Sequence, residues 1–272
     1  GKSTSILYGM INIIRPLIVQ YNPEKVIICW DGRRHPERIK MLPEYKGHRE
    51  TTRDQKKHKK FLKQVAKTRK LLYLLGIPQA WHEGVEGDDM IYMVTQKMSK
   101  LYRVTIVSAD KDFKQLINWD VDVLHPRTKV VETAWAFDCG NWGIELPQYK
   151  DFLCLTGDKS DDIPGYPGIA EGRASSFLKK FYSIQQYLDS DEEHVGLMDK
   201  DKLRKIYRRN NRMINLKLFH KKYNSDKKIT YYKGKSNPSY QEEAYKEYCL
   251  SFSMKTLAFP KFIAPFKSLV NG

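Results

Sequence analysis

Residues 155–169 join a pair of carboxylates to a turn rich in glycine and proline. Asp158 and Asp161 stand three positions apart, so at a helix end both side chains can face the same way and offer oxygens to one hard cation. Gly165 and Gly168 leave the following backbone without side chains, which lets amide N–H groups approach an anion closely. A metal site adjoining a phosphate cradle predicts phosphodiester chemistry.

Further carboxylates follow two apolar runs that have the length of buried strands. Asp31 comes after the run at residues 25–30, and Asp110 and Asp112 come after the run at residues 103–107. Open α/β sheets bind their ligands beyond the carboxyl ends of the strands. These acids are therefore candidates for the same site.

Three more acids, Glu86, Asp88 and Asp89, crowd the predicted start of a helix. A single carboxylate is enough to cap a helix and complement its macrodipole, whereas three neighbouring ones repel one another unless a cation compensates. A simpler interpretation treats all of these acids as separate helix caps and surface groups. It explains each acid singly but leaves their common placement to chance.

Oxygen ligands without a histidine or cysteine partner favour Mg²⁺ or Mn²⁺ over zinc. The carboxylates are numerous enough for two ions, and ions about 3.5 to 4 Å apart can activate water and stabilise the leaving oxygen of an in-line displacement. The sequence thus predicts metal-dependent hydrolysis.

Composition points to a polyanionic partner. The 272 residues include 48 Lys and Arg against 32 Asp and Glu, a formal charge of +16. Because counterion release drives the binding of such a chain to polyanions, nucleic acid is the first candidate and an anionic membrane surface the second. No run approaches the roughly 20 apolar residues that span a bilayer, and no signal-peptide pattern opens the chain. We therefore expect a soluble intracellular protein without a membrane partner.

The most basic block covers residues 33–70, with 15 Lys or Arg against four acidic residues. One interpretation is a solvated helix face. The overall charge and the interleaved Tyr45, His48 and Phe61 favour a surface that contacts a phosphate backbone. Candidate DNA contacts in the block are Arg33, Lys56, Lys57 and Lys60.

Apolar periodicity predicts amphipathic helices over residues 5–21 and 54–75, the second with Phe61 and Leu62 on its apolar side. Helices over 147–155 and 170–181 would enclose the glycine turn as a helix-turn-helix unit. Residues 259–266 are apolar but interrupted by proline, so we expect them to pack over the core without forming an element.

Four segments, taken together and in this order, resemble the 5′ nuclease family. The segments are Leu42-Pro-Glu-Tyr-Lys-Gly-His-Arg49, Gly84-Val-Glu-Gly-Asp-Asp89, Ser108-Ala-Asp-Lys-Asp112 and Gly157-Asp-Lys-Ser-Asp-Asp-Ile-Pro-Gly-Tyr-Pro-Gly-Ile169. That family contains flap endonucleases, phage 5′-to-3′ exonucleases and the nuclease domain of bacterial DNA polymerase I. The match covers about residues 5–182.

The resemblance implies a role for each matching residue. The first metal ion would be held by Glu86, Asp88, Asp31 and Asp89, and the second by Asp110, Asp112, Asp158 and Asp161. Lys46 and Arg49 would act on the scissile phosphate, where fixed cations stabilise developing charge. Tyr45 would stack on a base near the cut, unless it is a core aromatic.

The implied fold is α/β, with a PIN-like, mostly parallel central sheet flanked by helices. Residues 1–150 would form the nuclease core, including a basic helical arch at about 33–75, and residues 151–272 a helix-three-turn-helix and a C-terminal helical region. Gly165 and Gly168 would lie in the helix-three-turn-helix, which grips duplex DNA with the help of a K⁺ ion. The family also begins with a strand ending in Asp-Gly, and we expect such a segment upstream of Gly1.

The implied function is structure-specific cleavage of DNA with 5′ flaps or free 5′ ends, and of RNA in RNA–DNA hybrids, during replication and repair. A monomer in the cytoplasm of a bacterium or phage-infected host is expected, with a polymerase or a single-strand DNA-binding protein as candidate partners. Two alternatives stay open: a DNA-junction binder that no longer cuts, and a PIN-type ribonuclease. Asp162, Tyr166 and Ala170 depart from the family's usual Asn, branched aliphatic residue and Gly.

Overall fold

A computed structural model describes residues 4–48, 54–140, 142–192 and 198–269, with only the backbone described at 138–140. The chain forms two compact units that alternate along the sequence. The first comprises Gly1–Gly32, Thr52–Glu83 and Lys228–Gly272, and the second Arg33–Thr51 and Gly84–Lys227. Neither unit ends at residue 150, and the division there stays a prediction.

The elements are named here in chain order. The helices are α1 (Ser5–Tyr21), α2 (Pro36–Met41), α3 (Gln55–Leu74), α4 (Gly87–Met98), α5 (Ala134–Gly140), α6 (Tyr149–Thr156), α7 (Glu171–Phe181), α8 (Ile184–Asp189), α9 (Lys200–Ile214), α10 (Leu216–Phe219), α11 (Glu242–Ser251) and α12 (Pro260–Ser268). The strands are β1 (Ile28–Cys29), β2 (Gln79–Trp81), β3 (Val104–Val107), β4 (Val121–Leu124), β5 (Val131–Glu132), β6 (Gly157–Asp158), β7 (Ile163–Pro164) and β8 (Thr230–Tyr231). Short 3₁₀ turns cover Lys111–Leu116 and Lys159–Asp161.

The strands form two mixed three-stranded sheets instead of the predicted single, mostly parallel one. In the first unit β2 pairs parallel to β1 and antiparallel to β8, and in the second β4 pairs parallel to β3 and antiparallel to β5. Each bonded ladder is only two to four residues long. Apolar runs in the sequence indicate where strands lie but not which strands pair, and pairing decides the sheet.

Helix α1 confirms the predicted amphipathic pattern in the first unit. Leu7, Ile11, Ile14 and Ile18 recur at three- and four-residue steps, and all four are buried. This stripe packs with buried side chains of α3, α11 and α12 into one core. Within the described residues, no helix is both long and apolar enough to cross a membrane.

Only the second half of α3 joins that core. Leu71 and Leu72 are fully buried, whereas Phe61 and Leu62 are 50% and 51% exposed. The prediction that Phe61 and Leu62 lie on the buried side of the helix is therefore wrong. Residues 55–63 are exposed, apart from the half-buried His58. The apolar periodicity of the sequence therefore continues beyond the buried part of the helix.

The segment predicted to stay irregular at residues 259–266 folds as α12. Pro260 occupies the first helical position, where its missing N–H costs nothing. Pro265 follows inside the helix, and Ile263 and Phe266 are buried in the first unit's core. The prediction that this segment packs over the core is correct, and the prediction that it forms no helix is wrong. Packing of Ile263 and Phe266 stabilises the helix despite Pro265.

The glycine turn follows α6 as a small β6–β7 hairpin in the second unit. A Cβ on Gly165 would lie 2.3 Å from the Leu155 carbonyl oxygen, so this position accepts only glycine. Asp162 has φ of 57°, a left-handed conformation that Asp and Asn tolerate. Tyr166 is buried, and its hydroxyl accepts a hydrogen bond from the Asp199 N–H at 2.9 Å, at the start of α9. The tyrosine, in place of the family's usual aliphatic residue, thus adds a hydrogen bond between the glycine turn and α9.

Gly165→Ala is expected to lower the free energy of unfolding by about 3 kcal/mol or more, because the new methyl group meets rigid backbone. Gly172→Ala is the matched control, since a Cβ there has open space on α7. It should be neutral or stabilise by up to about 1 kcal/mol. Urea denaturation measures both, and equal stability of the two variants would contradict the steric account.

Candidate active site

The most buried acids of the site are held by one arginine. Arg38, from α2, is 3% exposed, and its NH1 and NH2 donate to Asp89 Oδ2 and Oδ1 at 2.6 and 2.9 Å. NH1 also lies 2.7 Å from Glu86 Oε1. The guanidinium stacks over the Phe219 ring, 3.7 Å from its centroid. Arg38 thus anchors two acids at the start of α4 with fork geometry that suits carboxylates.

Lys46 and Tyr45 bind the other side of Glu86. The Lys46 ammonium donates to Glu86 Oε2 at 2.8 Å and lies 3.4 Å from Asp161 Oδ2. The Tyr45 hydroxyl lies 3.0 Å from Glu86 Oε2 and 3.3 Å from Asp161 Oδ2. Lys46 N–H also donates to the Asp161 carbonyl oxygen at 3.1 Å. The turn at residues 42–48 is therefore fastened to the glycine turn.

These contacts set the charge of Glu86. Burial raises its pKa, but Arg38 and Lys46 outweigh that effect and hold the pKa at about 2. Burial lowers the pKa of Lys46, and the carboxylates of Glu86 and Asp161 reverse this to a net increase. Both groups are charged at neutral pH.

A second group of acids is compensated more weakly, by the Lys111 ammonium at 4.0 Å from Asp158 Oδ1. Burial raises the pKa of Asp88 to about 7; Asp110 adds to the increase, while Lys46 opposes it. The pKa of Asp112 is raised by burial and by the carboxylates of Asp110, Asp158 and Asp88. The members of this carboxylate group, Asp88, Asp110, Asp112 and Asp158, thus lie close enough to repel one another.

The local fold points these side chains from three segments. Asp110 caps the 3₁₀ turn that carries Asp112, accepting a hydrogen bond from the Asp112 N–H at 2.9 Å. Asp158 caps the next 3₁₀ turn through Ser160 N–H and Oγ, both at 2.9 Å. Asp88 lies in the first turn of α4. The capping interpretation is therefore correct for Asp110 and Asp158, but it does not account for the repulsion.

The donor set fits a hard divalent cation. Asp112 Oδ1 is buried without a hydrogen-bond partner, and the acids around it are all oxygen donors. As the described side chains stand, no three His, Cys, Asp or Glu residues already form a coordinating cluster. A cation would offset the repulsion that keeps these carboxylates from converging.

Two predicted roles disagree with the geometry. Tyr45 is 2% exposed in the core and hydrogen-bonded to acids, so in this conformation its ring cannot stack on a base. Asp89 is fully buried, and both of its oxygens bind Arg38, so a metal could reach it only by displacing that contact. Both residues instead orient the groups around Glu86.

Other predicted site residues lie elsewhere. Asp31 is exposed after β1 in the first unit, and Lys56, Lys57 and Lys60 are exposed on α3 of that unit. Arg33 is exposed in the second unit, and Arg49 lies outside the described residues. Gly168 has φ of 78° and its carbonyl accepts from Arg173 NH1 at 2.8 Å. Their roles stay predictions.

Sequence reasoning missed Arg38. It is one of the 15 Lys or Arg residues of the basic block, and nothing in the local sequence distinguishes it from those that are exposed. The available signal was indirect, since acids predicted to crowd a helix start require a cation and the chain has to supply one.

Arg38→Met is expected to lower the free energy of unfolding by roughly 3–5 kcal/mol, because it leaves Asp89 buried without its cation. Adding Asp89→Leu should restore part of that loss. Lys40→Met, an exposed change on the same helix, serves as the control. Chemical denaturation of the parent protein and the three variants measures these changes, and a loss for Arg38→Met no larger than the control's would refute the anchoring role.

Asp88→Asn should stabilise the metal-free protein increasingly as pH rises. Its pKa is raised to about 7 from a usual value near 3.8, so the folded state holds the proton more tightly than the unfolded one. Stability is therefore lost between about pH 4 and pH 7, and the amide removes that loss. Thermal melts across this range, with the exposed Asp120→Asn as control, should show a gain only for Asp88→Asn and only toward high pH.

Comparisons with known proteins identify the family of the chain. Residues 1–138 match the family described as 5′-3′ exonuclease, N-terminal resolvase-like domain. A 5′-3′ exonuclease of Buchnera aphidicola is 30% identical over 199 residues, covering 72% of this chain and 68% of the relative. DNA polymerase I of Mycobacterium tuberculosis is 34% identical over 194 residues, covering 70% of this chain. The chain spans only 21% of that polymerase's length.

A solved structure extends the likeness to the fold. The flap endonuclease of bacteriophage T5, crystallised with DNA and metal ions, superposes with a TM-score of 0.68 at 17% identity, covering 100% of this chain and 93% of that one. The overall α/β nuclease fold expected from the sequence is thus confirmed. By its family match and its relatives, the chain belongs to the 5′-3′ exonuclease family.

Proposed function

We propose that this protein is a structure-specific 5′ nuclease that hydrolyses phosphodiesters in branched DNA with a free 5′ end, and in RNA paired to DNA. The observation that carries the proposal is the group of Asp88, Asp110, Asp112 and Asp158, in which Asp88 and Asp112 have raised pKa values and Asp112 Oδ1 is buried with no hydrogen-bond partner among the described residues. Membership of the 5′-3′ exonuclease family supports the same chemistry.

Two Mg²⁺ or Mn²⁺ ions are the cofactors we propose. Asp110, Asp112, Asp158 and Asp161 would hold one ion, and Glu86 and Asp88 the other. When bound, such ions lower the pKa of water and stabilise a leaving oxygen. Asp89 is the least favoured of the predicted ligands because it is fully buried and bidentate to Arg38; Glu86 is also bound through both oxygens, and an ion there would have to displace Arg38 or Lys46 from one of them.

Lys46 is the proposed cation for the reacting phosphate. Its ammonium already lies among the site's acids, 2.8 Å from Glu86, and its backbone N–H is tied to Asp161. Burial opposes its charge, but the carboxylates of Glu86 and Asp161 outweigh that effect and keep it charged, which suits a group that stabilises negative charge in the transition state. Arg49 would assist it.

The exposed half of α3 is the proposed grip on single-stranded DNA, as part of a basic arch. Lys56, Lys57 and Lys60 are exposed there beside the half-exposed Phe61, which offers cations and a ring to a flexible strand. Arg33 would add a further phosphate contact. A polymerase or a single-strand DNA-binding protein is the proposed class of partner.

The turn between α6 and α7 is the proposed duplex-binding helix-three-turn-helix of a PIN-like nuclease. Gly168 turns the chain with φ of 78° just before α7, leaving amide groups at the start of that helix for a phosphate or for a K⁺-bridged backbone. Gly165 is required by packing, and its part in DNA binding would be indirect.

One alternative has an observation in its favour. Glu86 is already neutralised by Arg38 and Lys46, an arrangement that also suits a DNA-junction binder that does not cut. The two functions differ in turnover, which a cleavage assay measures directly.

Cleavage of a labelled 5′-flap duplex, with and without Mg²⁺, tests the proposal. The protein should cut only with the metal, and Asp158→Asn should cut at least about 10²-fold more slowly. Lys46→Ala should lose about 10²-fold in turnover, whereas the exposed Lys40→Ala and Asp120→Asn should cut normally. Normal cutting by Asp158→Asn would exclude the metal assignment, and tight flap binding without any cutting would establish the junction binder.

A further inference from the structure

A pocket of about 220 Å³ lies between α8 and α9 in the second unit. The residues that line it are Gln185, Leu188, Asp189, Arg204, Tyr207, Arg208, Asn211 and Arg212. None of the carboxylates assigned to the metal site is among them. The pocket therefore needs an explanation of its own.

Three arginines form one wall of this pocket. Arg204, Arg208 and Arg212 stand four residues apart on successive turns of α9, so their side chains share one face. Like charges at that spacing weaken a helix. Arg209 is not part of this row, and its side chain donates to the Pro164 carbonyl oxygen at 2.8 Å. The row is thus distinct from the contact that α9 makes with the glycine turn.

Acidic groups do not balance the row. The one carboxylate in the lining, Asp189, accepts from Gln185 Nε2 at 2.9 and 3.0 Å. Arg204 is paired with Asp201, which is 81% exposed. Within the part of the chain that the structure describes, Arg208 and Arg212 form no ion pair. The pocket is therefore net positive.

Neutral donors complete the lining. Lys150 Nζ donates to the Tyr207 hydroxyl at 3.3 Å, which leaves the tyrosine's own proton free to be donated. Burial raises the pKa of Tyr207 to about 12, so that proton is retained at neutral pH. Asn215 Nδ2 donates to Asn211 Oδ1 at 3.0 Å, and the Asn211 amide group keeps its own N–H donors. Three cations and two neutral donors against a single carboxylate, Asp189, describe an anion site.

We propose that the α8–α9 pocket binds a phosphate group, with Arg208 and Arg212 as its principal contacts. The planar fork of arginine matches phosphate oxygens. The volume of about 220 Å³ is below the roughly 300–1,000 Å³ of pockets that enclose drug-sized ligands, so one phosphate fits without a whole nucleotide. The phosphate is either a diester of the nucleic-acid backbone, an identity that rests on the proposed function, or free inorganic phosphate.

The test compares Arg208→Gln/Arg212→Gln with Lys205→Gln/Lys217→Gln. The control removes the same two charges from exposed residues outside the pocket, and Arg204 is kept because Asp201 already binds it. Circular dichroism verifies that both variants fold. All measurements exclude divalent cations, so binding is read without cleavage and independently of whether the protein is a nuclease.

Two readouts distinguish the source of the phosphate. Inorganic phosphate at constant ionic strength should raise the Tm of the parent protein and of the control but not of the pocket variant. For blunt duplex DNA, the slope of log Kd against log salt should fall by about 0.9 for each lost phosphate contact, and by more in the pocket variant than in the control. A change in Tm alone identifies free phosphate, and a change in slope identifies the backbone. Equal behaviour of the two variants in both assays would overturn the proposal.

Discussion

Like charges buried close together must be compensated, and the second unit meets this constraint in two different ways. Glu86 and Asp89 are compensated by protein cations, because Arg38 grips both and Lys46 binds Glu86 from the other side. Among the described residues, Asp88 and Asp112 form no ion pair with a lysine or arginine, and their pKa values are raised. The first arrangement fixes the start of α4 in place. The second leaves a site that gains most from a divalent cation.

Backbone and side-chain ties hold these acids in register. Lys46 N–H binds the Asp161 carbonyl, Tyr166 Oη accepts from Asp199, and Arg209 binds the Pro164 carbonyl. The contacts join the hairpin that carries Asp158 to the turn at residues 42–48 and to two points along α9. The turn that departs most from its family's usual residues is therefore also well supported locally.

The basic charge of the chain is divided among surfaces of different character. The first half of α3 is exposed and carries several lysines, an arrangement that suits contact with flexible single-stranded nucleic acid. On α9 an arginine row lines a pocket of defined volume, which suits a single anion. Net charge alone predicts a polyanionic partner, but it does not separate these two kinds of contact.

Local patterns in the sequence determined much of this protein. Helices α1 and α3 begin and end within one residue of the predicted bounds, because periodicity and an Asp54 cap are encoded locally. Their positions at element ends also singled out Asp88, Asp110, Asp112 and Asp158, which the structure brings near one another. Tertiary structure decided the rest: Arg38 became an anchor and Tyr45 a buried donor because distant segments surround them. Sheet pairing and the helical α12 likewise depend on neighbours far along the chain. Whether a side chain is buried, and by what, depends on contacts that no local pattern specifies.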